Sequence, residues 1–440
     1  MELIGHPLAW IRHEHLWSMD DLALLLHRAA ARAGRRSGID RNRVWKWEHG
    51  TTPSADNQAL LAAVLQVPAG SVAALGWPAW LPACAHALPF TPSGSRTALL
   101  ETSVARTDRR AFLVLAAATV TSVAQKWATT EPGRLTTAMD GSRIDDALLT
   151  WLEQRSTELR ALTTASPGPL TELVDAHLHT VVTLIDQGSY TTAAGTRLHT
   201  TAAHLAHLAG WLRFDQARHG AAQRLWNAAL HAAHTADDRD LGAGILSDLA
   251  YQATWLAHPD HAVTILEHAR SRTHSPAARS LLDLRRARAL ATLADPAGCA
   301  RALASAETEL SHARPDCTPD WVSWMSQADL AVDAGRCWID LHQPHRAATT
   351  LETGLRLLDP ARTRSRAVFQ TYQAEGALHA HDLGAATLHA HHALDTALAT
   401  GAARCAGLVQ GLVSRLEPHA AQPGVRNFLD QARTRLTTAA

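Results

Sequence analysis

Apolar residues recur three and four positions apart along most of the chain, which is the spacing that places them on one face of an α-helix. Leucine, alanine, arginine and histidine are abundant, and no stretch alternates apolar and polar residues with β-branched enrichment. The pattern therefore predicts an all-α fold. Within the first 82 residues it predicts helices at 7–15, 19–34, 40–49 and 54–67, followed by a turn with two prolines at 76–82.

The predicted helix at 40–49 is short and basic, and its two faces differ. Val44 and Trp47 lie three residues apart and share the inward face. The residues that point away from that face are Arg41, Asn42, Arg43, Trp45 and Lys46. Arginine and lysine can bind guanine edges or phosphates, and asparagine can pair with adenine. The pattern predicts a helix that binds double-stranded DNA.

Beyond residue 82 the composition changes. Residues 83–108 are rich in proline, serine, threonine and glycine, which predicts a linker, and 109–165 then read as connecting helices. Residues 107–124 contain two arginines followed by an apolar run, as in a twin-arginine export signal. Such a signal works at an N-terminus, and the run is shorter than the roughly 20 residues that cross a bilayer. We therefore expect a buried or interdomain helix at 109–128 and no membrane insertion.

From about residue 170 to residue 440 the chain repeats itself. Small residues mark the start of the second helix of each predicted pair. These residues are Ala222, Ala262, Cys299, Ala347 and Ala385, at intervals of 40, 37, 48 and 38. Such intervals are typical of a helical-hairpin array close to the 34-residue tetratricopeptide period. The first helices of the pairs are expected to line the inner groove of a superhelix.

Polar side chains interleaved with tryptophan and tyrosine on those first helices suit a groove for a peptide or a small molecule. The candidates for effector binding are Trp211, Tyr251, Gln252, Trp255, Trp324, Gln327 and Tyr372. The alternative is that these aromatic side chains are ordinary core between neighbouring repeats. The sequence supports both interpretations.

The charge distribution favours a nucleic-acid partner. The chain carries 41 basic and 41 acidic residues, so its formal charge is zero. Between Arg28 and Lys46, however, there are seven basic residues and one acid, Asp40, which gives a local charge of +6. A basic patch on a neutral protein attracts phosphates without general nucleic-acid binding. A solvated helix face is the alternative.

Neither an enzyme nor a metalloprotein is indicated. The five cysteines include no C-x-x-C pair, which fits a reducing, cytoplasmic compartment. Among the 27 histidines, the pairs His204/His207 and His231/His234 have a chelating spacing, but no carboxylate or cysteine accompanies them in a recognisable pattern. The chain also lacks a nucleophile elbow, a phosphate loop and a dinucleotide fingerprint. We expect no catalytic site, metal or cofactor.

The N-terminal motif resembles a known family. The stretches VWKWEHGTTPS at 44–54 and LLAAVLQVP at 60–68 resemble the Cro/repressor-type helix-turn-helix called XRE. With LGWPAWLP, a DRRAFL segment and the repeats that follow, the chain resembles actinobacterial XRE–tetratricopeptide transcriptional regulators. Arginine outnumbers lysine 39 to 2, which suits a high-GC genome. The resemblance implies a DNA-binding domain at 1–82 and a repeat domain at 170–440 that dimerises, senses an effector, or does both.

The resemblance also assigns roles to residues. It places the hydrophobic anchors of the recognition helix on Val44 and Trp47, and phosphate binding on Arg43. Base contacts fall on Arg41, Asn42 and Lys46. The implied function is that of a sequence-specific transcriptional regulator acting as a homodimer. A non-enzymatic repeat scaffold that binds partner proteins is the alternative.

One segment departs from the family pattern. Residues 27–39, between the two motif helices, are longer and more basic than the usual turn of three to four residues. Either the first motif helix is extended, or the insertion forms an arm that grips the DNA backbone. Phosphate contacts are therefore assigned to Arg32, Arg35 and Arg36 as one of two alternatives.

Overall fold

The computed structural model describes residues 6–14, 17–35, 37–65, 67, 72, 77–78, 80–81, 88–104, 117–132, 142–162 and 168–439. Over these residues the chain is almost wholly α-helical, so the all-α prediction is confirmed. A short parallel pair of strands is also present, formed by β1 (Ser142–Arg143) and β2 (Gly188–Ser189).

The N-terminal helices begin where side chains can cap them. They are α1 (Pro7–Glu14), α2 (Met19–Arg32), α3 (Arg41–Glu48) and α4 (Ala55–Val64). Ser18 and Asp21 form a capping box at the start of α2. The carboxylate of Asp40 accepts from the amide of Arg43, and the hydroxyl of Ser54 accepts from the amide of Asn57. The predicted helices are confirmed, with ends that differ by one to three residues.

A compact core holds these four helices together. Helix α2 packs against α3 and α4, and α1 packs against α3. The fully buried side chains at the centre include Leu8, Leu26, Val44 and Leu61, and Trp80 closes the core from the C-terminal side. The indole of Trp80 donates to the Gln58 side chain, so its one polar atom is satisfied inside the core.

The remainder of the described chain is a succession of longer helices. They are α5 (Pro92–Val104), α6 (Ala117–Thr129), α7 (Asp146–Ala161), α8 (Gly168–Gln187), α9 (Thr192–Asp215), α10 (His219–Thr235), α11 (Arg239–Trp255), α12 (Pro259–Arg270), α13 (Pro276–Thr292), α14 (Pro296–His312), α15 (Gln327–Asp340), α16 (Pro344–Leu357), α17 (Thr363–His379), α18 (Leu383–Thr400), α19 (Ala403–Leu416) and α20 (Pro423–Ala439). One-turn 3₁₀ helices lie at Pro315–Cys317 and Glu417–His419.

The prediction of a linker over 83–108 is wrong for residues 92–104, which form α5. The hydroxyl of Thr91 accepts from the amide of Gly94, and Pro92 occupies the first helical position, where its missing N–H costs nothing. Ala98 and Leu99 are buried because α5 packs on α10. The connecting helix predicted at 109–128 corresponds to α6, and residues 109–116 lie outside the described residues.

Consecutive helices from α11 to α18 pack as hairpins, and each first helix also packs against the first helix of the next pair. This is the arrangement of a tetratricopeptide-like superhelix, and it confirms the predicted array. Four of the five predicted marks are fully buried in the first turn of a second helix: Ala222, Ala262, Cys299 and Ala347. In the fifth hairpin the buried alanine is Ala386 and not Ala385.

The hairpin turns share a backbone feature that the sequence did not reveal. A non-glycine residue with positive φ precedes the second helix of each pair. These residues are Ala217, Ala257, Ala294, His342 and His381, with φ between 56° and 64°. Each lies five residues before the buried alanine or cysteine of its second helix. This constant offset also shows why Ala386 is the equivalent residue in the fifth hairpin.

The chain divides into two compact units. The first consists of Met1–Glu153, Asp175–Gly210 and His219–Asp238, and the second of Gln154–Val174, Trp211–Arg218 and Arg239–Ala440. In the second unit, a core cluster runs from Ala328 on α15 to Ala432 on α20.

Candidate nucleic-acid interface and inner face of the array

Helix α3 is anchored by one face. Val44 and Trp47 are 0% and 2% exposed and belong to the N-terminal core, as the spacing predicts. Gly50, with φ of +97°, follows the helix and turns the chain toward α4. Because the buried face holds this short helix in place, its other face is available to bind a ligand in a fixed orientation.

The outward face of α3 carries the residues that the sequence selected. Their side chains are all exposed: Arg41, Asn42, Arg43, Trp45 and Lys46. Three of these residues are cationic, and Asn42 can both donate and accept hydrogen bonds. The arrangement therefore supplies both phosphate attraction and hydrogen-bonding groups for base edges.

A buried ion pair fixes α3 to α1. The Nε of Arg12 lies 2.9 Å from Oε1 of Glu48, and its Nη2 lies 3.2 Å from Oε2. The third donor of the same guanidinium, Nη1, donates to the carbonyl of Trp17 at 3.1 Å. Because the Glu48 side chain is 3% exposed, this bidentate pair is shielded from water. It sets the orientation of α3 in the domain.

Trp45 is the large apolar group on the outward face. Its side chain is 49% exposed, and its ring stacks on His49 with a centroid distance of 4.0 Å and an interplanar angle of 20°. Nδ1 of His49 lies 2.7 Å from the carbonyl oxygen of Trp45, which fixes the imidazole in this position. The indole is thus held at the surface of α3.

Of the insertion at 27–39, residues 27–32 belong to α2, so the helix extends into the insertion. Helix α2 ends at Arg32; Gly34 beyond it has φ of +69°, and the amide of Arg35 donates to the carbonyl of Ala30. Arg32 is exposed, whereas Nη2 of Arg35 pairs with Asp56 at 2.7 Å. Arg36 lies outside the described residues. The Arg35–Asp56 pair is exposed and weak, so it leaves Arg35 able to exchange partners.

The second unit contains a cluster of aromatic residues predicted for effector binding. The Tyr251 ring lies 6.1 Å from that of Trp211 and 6.3 Å from that of Trp255. Phe214, which the sequence analysis did not select, lies within 5.8 Å of all three rings. The guanidinium of Arg285 stands 5.0 Å from the Tyr251 ring centroid. Trp211, Tyr251, Trp255 and Phe214 therefore form one aromatic cluster, with Arg285 beside it.

Ion pairs between successive first helices continue this inner face. Arg285 on α13 pairs with Asp248 on α11. Arg288 Nη1 lies 2.6 Å from Asp333 of α15, and Arg336 of α15 pairs with Glu375 of α17. Each pair joins one repeat to another, so these charges are compensated within the array.

Two predicted effector residues are not accessible in this structure. Tyr372 is 2% exposed and lies between the guanidiniums of Arg288 and Arg336, with ring distances of 5.5 and 5.0 Å. Burial raises the pKa of its hydroxyl, so the ring stays neutral. Gln252 is 0% exposed. Tyr372 lies in the packing between repeats, because Arg288 and Arg336 belong to two other first helices.

Two other candidates lie at a different place, beside the start of α15. The indole of Trp324 donates to the carbonyl of Trp321 at 2.8 Å, and Arg362 stands 5.7 Å from its ring. Gln327 is the first residue of α15 and is exposed. Trp324 is thus an exposed side chain in the turn before α15, and Gln327 an exposed side chain at the first position of that helix.

The described residues contain neither a metal-binding group of side chains nor a membrane-spanning helix. No group of three or more histidine, cysteine, aspartate or glutamate side chains there is placed to hold a metal ion. No helix in the described ranges is both long and apolar enough to cross a membrane.

The chain is similar to one known protein family and to one solved structure described here. Residues 8–76 match the family described as the SP15 N-terminal domain. The chain is similar to the crystal structure of yeast Tom70. The similarity covers 96% of this chain and 96% of the Tom70 chain, with 13% sequence identity and a TM-score of 0.35. At that TM-score the likeness supports no conclusion about function. No curated protein sequence matches the chain.

Proposed function

We propose that this chain is a non-enzymatic regulator that binds double-stranded DNA through α3 and an effector through its repeat array. The observation that carries the DNA-binding part is the division of α3 into two faces. Val44, Trp47 and Glu48 are buried, while three cations, Asn42 and Trp45 are exposed together. A helix of about two turns with this division fits the major groove with its free face.

The proposal includes a homodimer. A single short helix offers few base contacts, and two copies bound to adjacent half-sites would combine their affinities. Light scattering of the full chain, free and bound to duplex DNA, measures the stoichiometry. We expect two chains per bound duplex, and one chain per duplex at saturation would contradict the dimer.

Salt-dependent binding tests the DNA-binding part. Duplexes selected from a random pool would be titrated with the full chain at several salt concentrations. We expect log affinity to fall linearly with log salt, since the bound cations displace counterions. Arg43→Gln, at the position assigned to phosphate binding, is expected to weaken binding and to reduce the salt slope by about one.

A matched control distinguishes contact from general charge. Arg301 is exposed on α14, outside the basic segment Arg28–Lys46, and Arg301→Gln removes the same charge. It is expected to change affinity far less than Arg43→Gln. Equal effects of the two substitutions would show that α3 is not the contact surface.

The repeat array supports a second function by itself. Helical-hairpin superhelices offer extended inner and outer surfaces on which partner proteins can bind, and this array carries a joined aromatic cluster at Trp211, Tyr251 and Trp255. If no duplex from the random pool were bound even at low salt, the chain would act as a partner-binding scaffold, with the N-terminal domain as a protein-contact module.

A further inference from the structure

Three elements of the second unit meet at one carboxylate. Helix α9 ends at Asp215, and Arg364 and Arg404 are the second residues of α17 and α19. Nε of Arg404 lies 2.8 Å from Oδ1 of Asp215, and Nη1 of Arg364 lies 3.7 Å from Oδ2. Two guanidiniums therefore share one carboxylate, and the trio carries a net charge of +1. We call Asp215, Arg364 and Arg404 the Asp215 cluster.

The Asp215 cluster contains a donor without an acceptor. Nη2 of Arg364 is buried and has no hydrogen-bond partner among the described residues. The side chains of Arg364 and Arg404 are only 16% and 14% exposed, so little water reaches the two guanidiniums. A buried guanidinium donor in an excess of positive charge is a group that an added anion would satisfy.

Two helix N-termini add to the same positive potential. Neither α17, with Arg362 at its N-cap, nor α19, with Ala402, has a side-chain hydrogen bond to its first amides. The thiol of Cys405 lies 3.9 Å from the carbonyl of Arg364, so the two helix starts are neighbours. Uncapped amides and aligned peptide dipoles attract anions. Asp215 stands at the C-terminal end of α9, where a negative charge is least favoured.

Aromatic side chains border the cluster. The guanidinium of Arg404 stands 5.6 Å from the Phe214 ring centroid, and its Nη1 lies 3.5 Å from the hydroxyl of Tyr251. Tyr251 and Phe214 also belong to the aromatic cluster described above. An anionic group at Arg364 would thus adjoin apolar rings that could contact the rest of a ligand.

We propose that the Asp215 cluster is the binding site for the anionic group, a carboxylate or a phosphoryl group, of a small ligand of this protein. Arg364 is its main donor, with the first amides of α17 and α19 as further donors. Arg404 remains bonded to Asp215 and supplies charge. The inference deepens the effector part of the proposed function and does not depend on DNA binding.

The test uses the full chain without DNA. Inorganic phosphate and acetate would be titrated separately by isothermal titration calorimetry, at an ionic strength held constant with chloride. We expect one of the two to bind with a stoichiometry of one per chain. Phosphate would identify a phosphoryl ligand and acetate a carboxylate ligand. Binding of neither, or binding no stronger than that of chloride, would overturn the proposal.

Substitutions locate the binding. Arg364→Gln is expected to weaken binding of the effective anion at least about tenfold, because it removes a charged donor. Asp215→Asn should have the opposite effect and tighten binding, since it removes the competing carboxylate. Arg435→Gln is the matched control, because Arg435 is an exposed arginine on α20 that pairs with Asp395. Equal affinities of wild type, Arg364→Gln and Arg435→Gln would show that the anion binds elsewhere.

A conservative variant, Arg364→Lys, tests the proposal if Arg364→Gln does not fold. Arg364→Lys keeps the charge and removes the fork of donors. If Arg364→Gln failed to fold, Arg364→Lys is expected to retain weakened binding, several-fold below wild type. Unchanged affinity in the folded lysine variant would contradict the role of Arg364 as donor.

Discussion

At the scale of single residues, the candidate interface depends on a few side chains that fix α3 rather than on those that face outward. Val44 and Trp47 provide the apolar anchor, Asp40 caps the first turn, and Arg12 clamps Glu48. The sequence pattern identified the anchor because the spacing of Val44 and Trp47 is local. The Arg12–Glu48 pair spans 36 residues, so no periodicity could identify it.

Breaking this pair should destabilise the N-terminal domain strongly. Arg12→Met leaves the Glu48 carboxylate buried without its cation, which we expect to lower the free energy of unfolding by about 3–5 kcal/mol. Urea unfolding followed by tryptophan fluorescence measures the change. The double variant Arg12→Met/Glu48→Leu should recover much of the loss. A double variant less stable than the single one would contradict the explanation by a stranded charge.

We expect the stability of the first unit to fall at acid pH because of His199. Its side chain is buried beside the hydroxyl of Ser95, and burial lowers its pKa to about 4 from an ordinary value of 6.5. Between those values the unfolded chain binds a proton that the folded chain does not. The stability that neutral His199 contributes is therefore complete above pH 6.5 and is lost as the pH falls toward 4.

We expect His199→Gln to flatten this dependence. From pH 6.5 to pH 5 wild type should lose about 2 kcal/mol through this group, at 1.36 kcal/mol per pH unit. Urea unfolding at pH 7.5 and pH 5.0 measures the loss, with the exposed His345→Gln as the control. Equal losses in wild type and His199→Gln would rule out His199 as the source.

At the scale of elements, the array is built from hairpins whose helices cross closely. A Cβ added at Gly335 on α15 would lie 2.6 Å from Cγ and 3.2 Å from the backbone nitrogen of Leu351 on α16. Gly335→Ala should therefore destabilise the second unit by about 1–3 kcal/mol, because the helices must separate. Thermal unfolding measures the effect. Gly407→Ala on α19, where nothing lies within 4 Å, is the control and should be near neutral or stabilising.

In the hairpin turns, in contrast, we expect a substitution to stabilise the protein. Ala294 has φ of +56°, a conformation that costs an L-residue roughly 1–2 kcal/mol. Ala294→Gly removes this strain, partly offset by the greater entropy of unfolded glycine. We expect a net gain of up to about 1 kcal/mol in the free energy of unfolding, measured in urea. A loss comparable to that of a glycine placed inside a helix would show that the turn is not left-handed.

The elements also show where sequence patterns stop being informative. The repeat marks could be predicted because small residues at helix crossings recur with each hairpin. The fifth mark was displaced by one residue, since Ala385 and Ala386 are both alanine and only the backbone turn at His381 distinguishes them. Helix α5 was hidden by its composition, although Thr91 and Pro92 form a readable helix start. Its burial comes from packing on α10, which is not a local property.

At the scale of the whole molecule, the chain combines a short, outward-facing basic helix with a long tetratricopeptide-like array. The fold class and the outward residues of α3 followed from helical periodicity. The inner face could be predicted only in part. The grouping of Trp211 with Tyr251 followed from their helices, but the contact of Asp215 with Arg404 joins residues 189 positions apart. Such contacts depend on how far the superhelix turns, which the sequence of a single repeat does not specify.

The central claim is that the outward face of α3 binds base edges of duplex DNA. Selection of bound duplexes from a fully random pool by the full chain, repeated with Asn42→Ala, tests it most directly. We predict that wild type enriches one sequence motif and that Asn42→Ala loses preference at a defined adenine position while binding elsewhere in the motif is kept. Enrichment of no motif, or of the same motif with the same preferences by both proteins, would contradict the claim.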